Sequence, residues 1–201
     1  SCSRSAGGSC AECMLCVQLT PDSVRHIVDA GATRLTSTLG VQPDSGVAGM
    51  IDHTLLKPVA TREQVAQLCF EARQHHFISV CVNPYWVEFC AEQLRGSGVK
   101  VCAVIGFPLG ATTTESKQYE SEQCLLRGAT ELDMVVNIGA LKSRMDDVVL
   151  QDIKVVADAC RRVGALSKVI IETGLLTEDE KVRACELSKA AGADYVKTST
   201  G

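Results

Sequence analysis

The sequence lacks the marks of a chain built for membranes, export or nucleic acid. No apolar run approaches the roughly 18 residues of a membrane-spanning helix. Residues 1–20 hold no basic start followed by a long apolar stretch, so no export leader is read there and a cytoplasmic location is expected. Positive charge is not in excess: 20 Lys and Arg stand against 24 Asp and Glu, a formal net charge of -4. A general nucleic-acid binder would carry a basic face, so neither nucleic acid nor membrane is an expected partner. A small anionic substrate stays open, because one phosphate needs only a local site. His53, His75 and His76 show no metal-ligand spacing. What is present is the balance of one globular domain, with 46% hydrophobic and 22% charged residues over 201 positions.

Cysteine is plentiful, at 11 residues. Seven are scattered through apolar segments: Cys69, Cys81, Cys90, Cys102, Cys124, Cys160 and Cys185. An odd total without a secretory signal argues for buried thiols that pack as small hydrophobes. The other four, Cys2, Cys10, Cys13 and Cys16, crowd the start. The run Cys10-x2-Cys13-x2-Cys16 has the spacing of zinc or iron–sulfur ligands. It has no second pair to complete a knuckle, so a plain cysteine-bearing tail is the favoured reading, with Cys10, Cys13 and Cys16 as metal candidates.

Residues 21–31 read as a short helix with Pro21 near its start and Gly31 after its end. Residues 32–47, rich in Thr, Ser, Gly, Asp and Pro, read as a connection. The expected division is therefore a tail, helix and connection over 1–46 and one domain over 47–201. From Met50 onward short apolar runs alternate with helical patterns. The strand candidates are 50–54, 77–82, 99–105, 130–137, 168–173 and 194–198. Thr61-x-x-Gln64 and Thr177-x-x-Glu180 are capping-box starts. Asn83-Pro84 offers an N-cap followed by proline at the first helical position.

This alternation predicts a parallel sheet with helices packed on it. Strand facing separates an open sheet from a barrel. In the fourth strand Leu132, Met134 and Val136 oppose Glu131, Asp133, Val135 and Asn137. In the others, Val169 and Ile171 oppose Lys168 and Glu172, and Val196 opposes Tyr195, Lys197 and Ser199. An open sheet buried on both faces would give near-continuous apolar strands. One apolar and one polar face favour a TIM (β/α)8-type barrel with a charged interior. Such a barrel has eight strand–helix units and typically about 250 residues. Six units are readable, so the chain reads as a partial barrel cut short after its sixth strand.

Asp52, Asp133, Lys168 and Lys197 all fall on the expected interior face. Buried Asp and Lys are rare unless paired. The plain alternative is an ion-pair network that closes the barrel core. Two lysines and two carboxylates in one interior also suit Schiff-base chemistry. A lysine amine must be neutral to attack a carbonyl, and its ordinary pKa is about 10.4. Burial and a nearby cation such as Lys168 are expected to lower it. Asp133 could then shuttle protons. Gly106–Thr114 reads either as a loop at the active end of a barrel or as a plain turn. Thr198-Ser199-Thr200-Gly201 could offer donors to a phosphate. Cys81 points inward, and packing in the pocket wall is favoured over a nucleophilic role.

These residues fall in an ordered series that resembles the deoxyribose-phosphate aldolase family. The series runs Ile51-Asp52-His53-Thr54-Leu55-Leu56-Lys57-Pro58, Ser79-Val80-Cys81-Val82-Asn83-Pro84, Val104-Ile105-Gly106-Phe107-Pro108-Leu109-Gly110, then Glu131–Asn137, Lys168–Gly174 and Val196–Gly201. The resemblance implies a class I aldolase and lyase on a TIM barrel that needs no metal or other cofactor. It would cleave 2-deoxy-D-ribose 5-phosphate reversibly to acetaldehyde and D-glyceraldehyde 3-phosphate in carbohydrate catabolism. Lys197 matches the imine lysine and Asp133 the proton-relay aspartate. Asp52, Thr54, Cys81, Lys168, Thr200 and Gly201 match supporting or substrate-binding positions. A homodimer or homotetramer is the assembly expected of a full-length chain. The resemblance also implies a second catalytic lysine on a seventh strand, with phosphate loops after strands seven and eight. The alternative is a catalytically incomplete partial barrel that only binds a sugar phosphate or a protein partner.

Overall fold

The computed structural model describes residues 47–201. The expected helix over 21–31, most of the connection over 32–47, and Cys2, Cys10, Cys13 and Cys16 lie outside the described residues. The strands are β1 (Asp52–Leu55), β2 (Ser79–Val82), β3 (Lys100–Ile105), β4 (Glu131–Val135), β5 (Leu166–Ile170) and β6 (Tyr195–Lys197). The helices are α1 (Arg62–His75), α2 (Val87–Gln93), α3 (Thr114–Leu126), α4 (Ile138–Lys142), α5 (Asp146–Val163) and α6 (Glu178–Ala191). No helix among the described residues is long and apolar enough to cross a membrane.

All neighbouring strands are parallel, in the order β1-β2-β3-β4-β5-β6. A strictly sequential order with right-handed crossovers lays every helix on the same side of the sheet. The other side is then free of helices, unlike a doubly wound sheet. Curvature follows from one contact. In a flat sheet β1 and β6 would stand roughly 24 Å apart, five spacings of about 4.8 Å. Yet Lys197 Nζ on β6 lies 3.2 Å from Asp52 Oδ2 on β1. The sheet must therefore curl about its polar face, giving a half-barrel.

Local signals place the elements. Thr61 and Thr177 both form full capping boxes, with Gln64 and Glu180 reaching back to the cap backbone. Helix α5 begins on Asp146 and Asp147, ends on Arg161 and Arg162, and stops at Gly164 in the left-handed region. Asn83-Pro84 corrects the expected cap. Pro84–Trp86 is a 3-10 turn, Asn83 makes no side-chain cap bond, and its Nδ2 donates to Leu56 O at 3.1 Å. The helix-facing core joins Val80, Val82, Ala103, Ile105, Leu132 and Met134 to Val65, Leu68, Ile153 and Val156. A smaller apolar cluster of Cys81, Cys102 and Val104, with Leu56 and Phe107 against it, sits on the concave side. Of the seven described cysteines, six are buried, Cys185 is half-buried, and all are free thiols.

Candidate active site

Period-two alternation puts Glu131 and Asp133 on one face of β4, and parallel register sets Lys168 opposite Asp133. Ile170 pairs with Lys197 on the next strand, so the two lysines stand on neighbouring rungs of the same face. Their ammonium groups meet three carboxylates. Lys168 Nζ lies 2.6 Å from Glu131, 3.0 Å from Asp52 and 3.4 Å from Asp133. Lys197 Nζ lies 3.2 Å from Asp52 and donates to Asp133 Oδ2. Ser79 Oγ donates to Asp52 Oδ1 at 2.7 Å. With all five groups ionised, the cluster carries one net negative charge.

The two lysines are not equivalent. The Lys168 side chain is 9% exposed and the Lys197 side chain 31%. Lys168 is locked among carboxylates, whereas Lys197 can be reached from the concave face. Burial pulls the Lys168 ammonium down, but Cys102, Asp133 and Glu131 around it push its pKa well above the usual lysine range. At Lys197 the sequence-based expectation of a lowered value is corrected. Burial lowers it and Lys168 lowers it slightly, yet the charge and hydrogen bond of Asp133, with Cys81, carry it up to about 12. The lowering by Lys168 is outweighed because Asp133 is bonded directly to the Lys197 ammonium. For Asp52, burial raises the carboxyl, and the Ser79 hydroxyl with Lys168 and Lys197 more than offset that, leaving it below its ordinary value.

Asp133 is buried. Its Oδ2 is taken by Lys197, and its Oδ1 accepts no hydrogen bond among the described residues. That oxygen faces the Lys168 ammonium at 3.4 Å without a hydrogen bond, so it keeps a lone pair able to accept a proton, as a relay beside an accessible lysine needs. The thiols of Cys81 and Cys102 lie within 4.8 Å of an Asp133 oxygen, the only such set with metal-ligand character among the described residues. Lys168 Nζ already stands 3.9 Å from Cys102 Sγ and 3.4 Å from Asp133 Oδ1. An ammonium thus stands beside two of these three groups, and burial, with the Cys81 thiol beside it, holds the Cys102 thiol well above its usual pKa.

The other expected positions divide. Cys81 packs in the concave apolar cluster. Thr54 is exposed and donates to Asp52 O at 2.8 Å. Thr200 N and Oγ1 both donate to Glu172 Oε2, at 3.2 and 2.6 Å, and Gly201 is exposed beside it. Three members escaped the sequence reading as site residues: Glu131, Ser79 and Glu172. Glu131 was within reach, because it lies two residues before Asp133 on the same face. Alternation also set Glu172 on the polar face with Lys168, but the partners of Ser79 and Glu172 are 27 and 28 residues away, so their hydrogen bonds carry no local signal.

A profile of the DeoC/LacD family aldolases matches residues 47–201. Deoxyribose-phosphate aldolase 1 of Oceanobacillus iheyensis is 59% identical over 155 residues, covering 77% of this chain and 70% of that protein. Deoxyribose-phosphate aldolase of Brevibacillus brevis is 63% identical over 151 residues, covering 75% of this chain and 67% of that protein. Among solved structures, a tetrameric deoxyribose phosphate aldolase from Aeropyrum pernix superposes with a TM-score of 0.72 at 37% identity, over 77% of this chain and 64% of that one. The chain belongs to the DeoC/LacD family of aldolases.

Proposed function

We propose that this chain carries the Schiff-base machinery of a deoxyribose-phosphate aldolase, with Lys197 as nucleophile and Asp133 as proton relay. The observation that carries this reading is the contrast between two neighbouring lysines. Lys168 is boxed in by three carboxylates, while Lys197 is accessible and bonded to a carboxylate whose other oxygen accepts no hydrogen bond among the described residues. An inert ion-pair core would have no need of that asymmetry.

The chemistry follows. Lys197 Nζ, once neutral, adds to the C1 aldehyde of 2-deoxy-D-ribose 5-phosphate, and the carbinolamine loses water to give a protonated imine. Asp133 takes the proton of the C3 hydroxyl. The C2–C3 electron pair flows into the imine, leaving an enamine on Lys197 and releasing D-glyceraldehyde 3-phosphate. Protonation at C2 and hydrolysis return acetaldehyde and the free lysine. Lys168 stays charged and holds Asp52, Glu131 and Asp133 in place. A second lysine on a seventh strand, which the family resemblance implies, would add the cation that this net-negative cluster calls for. Cys81 would line the pocket wall. Thr54 lies beside Asp52, and Thr200 and Gly201, held by Glu172, would open the phosphate site. The reading carries with it a cytoplasmic location and, for a full-length chain, a homodimer or homotetramer.

Incubation with acetaldehyde and borohydride tests it. A reduced two-carbon adduct is expected on Lys197, located by peptide mass spectrometry, and none on Lys168. An adduct on Lys168 instead, or on neither lysine, would overturn the assignment.

A further inference from the structure

A second charged pair, outside the pocket, lies between the sheet and its helices. Lys117 on α3 and Asp152 on α5 are both buried, with Nζ 2.5 Å from Oδ2. Thr114 Oγ1 donates to the other oxygen of Asp152 at 3.2 Å. Burying such a pair is costly unless its remaining donors are used. Lys117 uses one on the main chain: Nζ donates to Val135 O, at the end of β4, at 2.9 Å.

That bond stands where the β3–β4 ladder fails. The last registered pair is Ile105 with Met134. At Gly106 the chain turns out of β3 with a φ of 62°. Two main-chain groups near this break then find side-chain partners on the same helix. Gly106 N donates to Glu120 Oε2 at 2.7 Å, and Val135 O accepts from Lys117. Lys117 and Glu120 are three residues apart on α3, one turn of the same face. The 106–113 loop is pressed against these anchors. A Cβ on Gly106 would come within 2.8 Å of Lys117 Cε, and one on Gly110 within 2.1 Å of Val136 O. Phe107 of this loop packs over Cys81, Cys102 and Val104 on the concave face. Asp133 lies two residues before Val135 on β4.

We propose that Lys117, held by Asp152 and one helical turn from Glu120, is a positioning residue: it fixes the 106–113 loop and the end of β4, and thereby the pocket wall around Asp133. It touches no reacting atom. Its link to turnover rests on the aldolase reading, whereas its hold on the loop does not.

The test uses the full chain with K117M, the double variant K117M/D152L, and E120L. K117M leaves Asp152 buried without its cation and loses stability, so by itself it would not separate positioning from folding. The double variant removes both charges and is expected to recover the thermal midpoint, while still lacking the bond to Val135 O. Two readouts are taken on folded protein: native-state alkylation of Cys81 and Cys102, located by mass spectrometry, and kcat against KM for deoxyribose 5-phosphate cleavage. We expect alkylation at least tenfold faster in K117M/D152L than in the parent and kcat at least tenfold lower, with KM changed less. E120L, which frees the loop's other anchor, moves both in the same direction by a smaller factor. If K117M/D152L recovers stability, thiol protection and turnover together, the role is structural and the proposal is overturned. Unchanged thiol reactivity in both K117M/D152L and E120L overturns it whatever the turnover. If the parent itself cleaves no substrate, the aldolase reading fails, and the alkylation rates still decide the loop.

Discussion

Asp133 does two opposed things to Lys197. It holds the ammonium form, raising the lysine to about 12, and it is the base that the proposed reaction needs. At pH 7 a lysine of that pKa is neutral in only about one molecule in 10^5. Replacing Asp133 by Asn should separate the two effects. Without the carboxylate, burial dominates and the Lys197 pKa falls. The rate of borohydride-trapped adduct formation with acetaldehyde near pH 8 is then expected to rise about tenfold or more over the parent. Cleavage of deoxyribose 5-phosphate is expected to fall by about 10^2-fold or more, since proton relays contribute on that scale. Adduct formation with the same pH profile in parent and D133N would sink the assignment of the shift to Asp133. The identities of both residues were legible in the sequence, because alternation alone put them on one face. The direction of the shift was not. It depends on Asp133 being bonded directly to Lys197, so that its charge and hydrogen bond outweigh burial and Lys168, and no spacing rule states which of two nearby charges makes the closer contact.

At the scale of elements, what is local was legible and what is long-range was not. The capping boxes at Thr61 and Thr177 formed as the sequence implied, because a cap satisfies donors within three residues of itself. Asn83 had the same local credentials and does something else, since Leu56 O, 27 residues away, competes for its side chain. Gly106–Thr114 had two readings, active-end loop or plain turn. Three-dimensional packing sets the loop close against the end of β4. Gly110 has a φ of 66°, and a methyl group there would lie 2.1 Å from Val136 O, a backbone atom that cannot swing away. Gly110→Ala should therefore cost about 1–3 kcal/mol, the range for a strained left-handed residue. A urea unfolding midpoint shifted to that extent is the expected result. An unchanged midpoint would mean that the loop is free to move off β4.

The molecule as a whole is a sequential sheet that curls until its first and last strands share a charge cluster. Alternating polar and apolar faces pointed to that curl from the sequence. The closeness of Asp52 to Lys168 and Lys197, 116 and 145 residues later, needed the fold. Because β1, β4, β5 and β6 all feed this cluster, its titration should register in global stability. Asp52 is depressed in the folded state, so its contribution is fully present above its unfolded value of about 4 and is lost as pH falls through the lower folded value. Lys197 is raised, from 10.5 to about 12. Its contribution is fully present below the unfolded value and is lost as pH rises through about 12. Stability from this cluster should accordingly form a plateau with an acid and an alkaline limb. Asp52→Asn removes the group responsible for the acid limb. The difference in urea unfolding free energy between parent and D52N should be largest from about pH 5 to pH 8 and shrink steadily towards about pH 2. A difference that stays constant across that acid range would show that ionisation of Asp52 adds nothing to stability, and that the strands are not tied together by its charge.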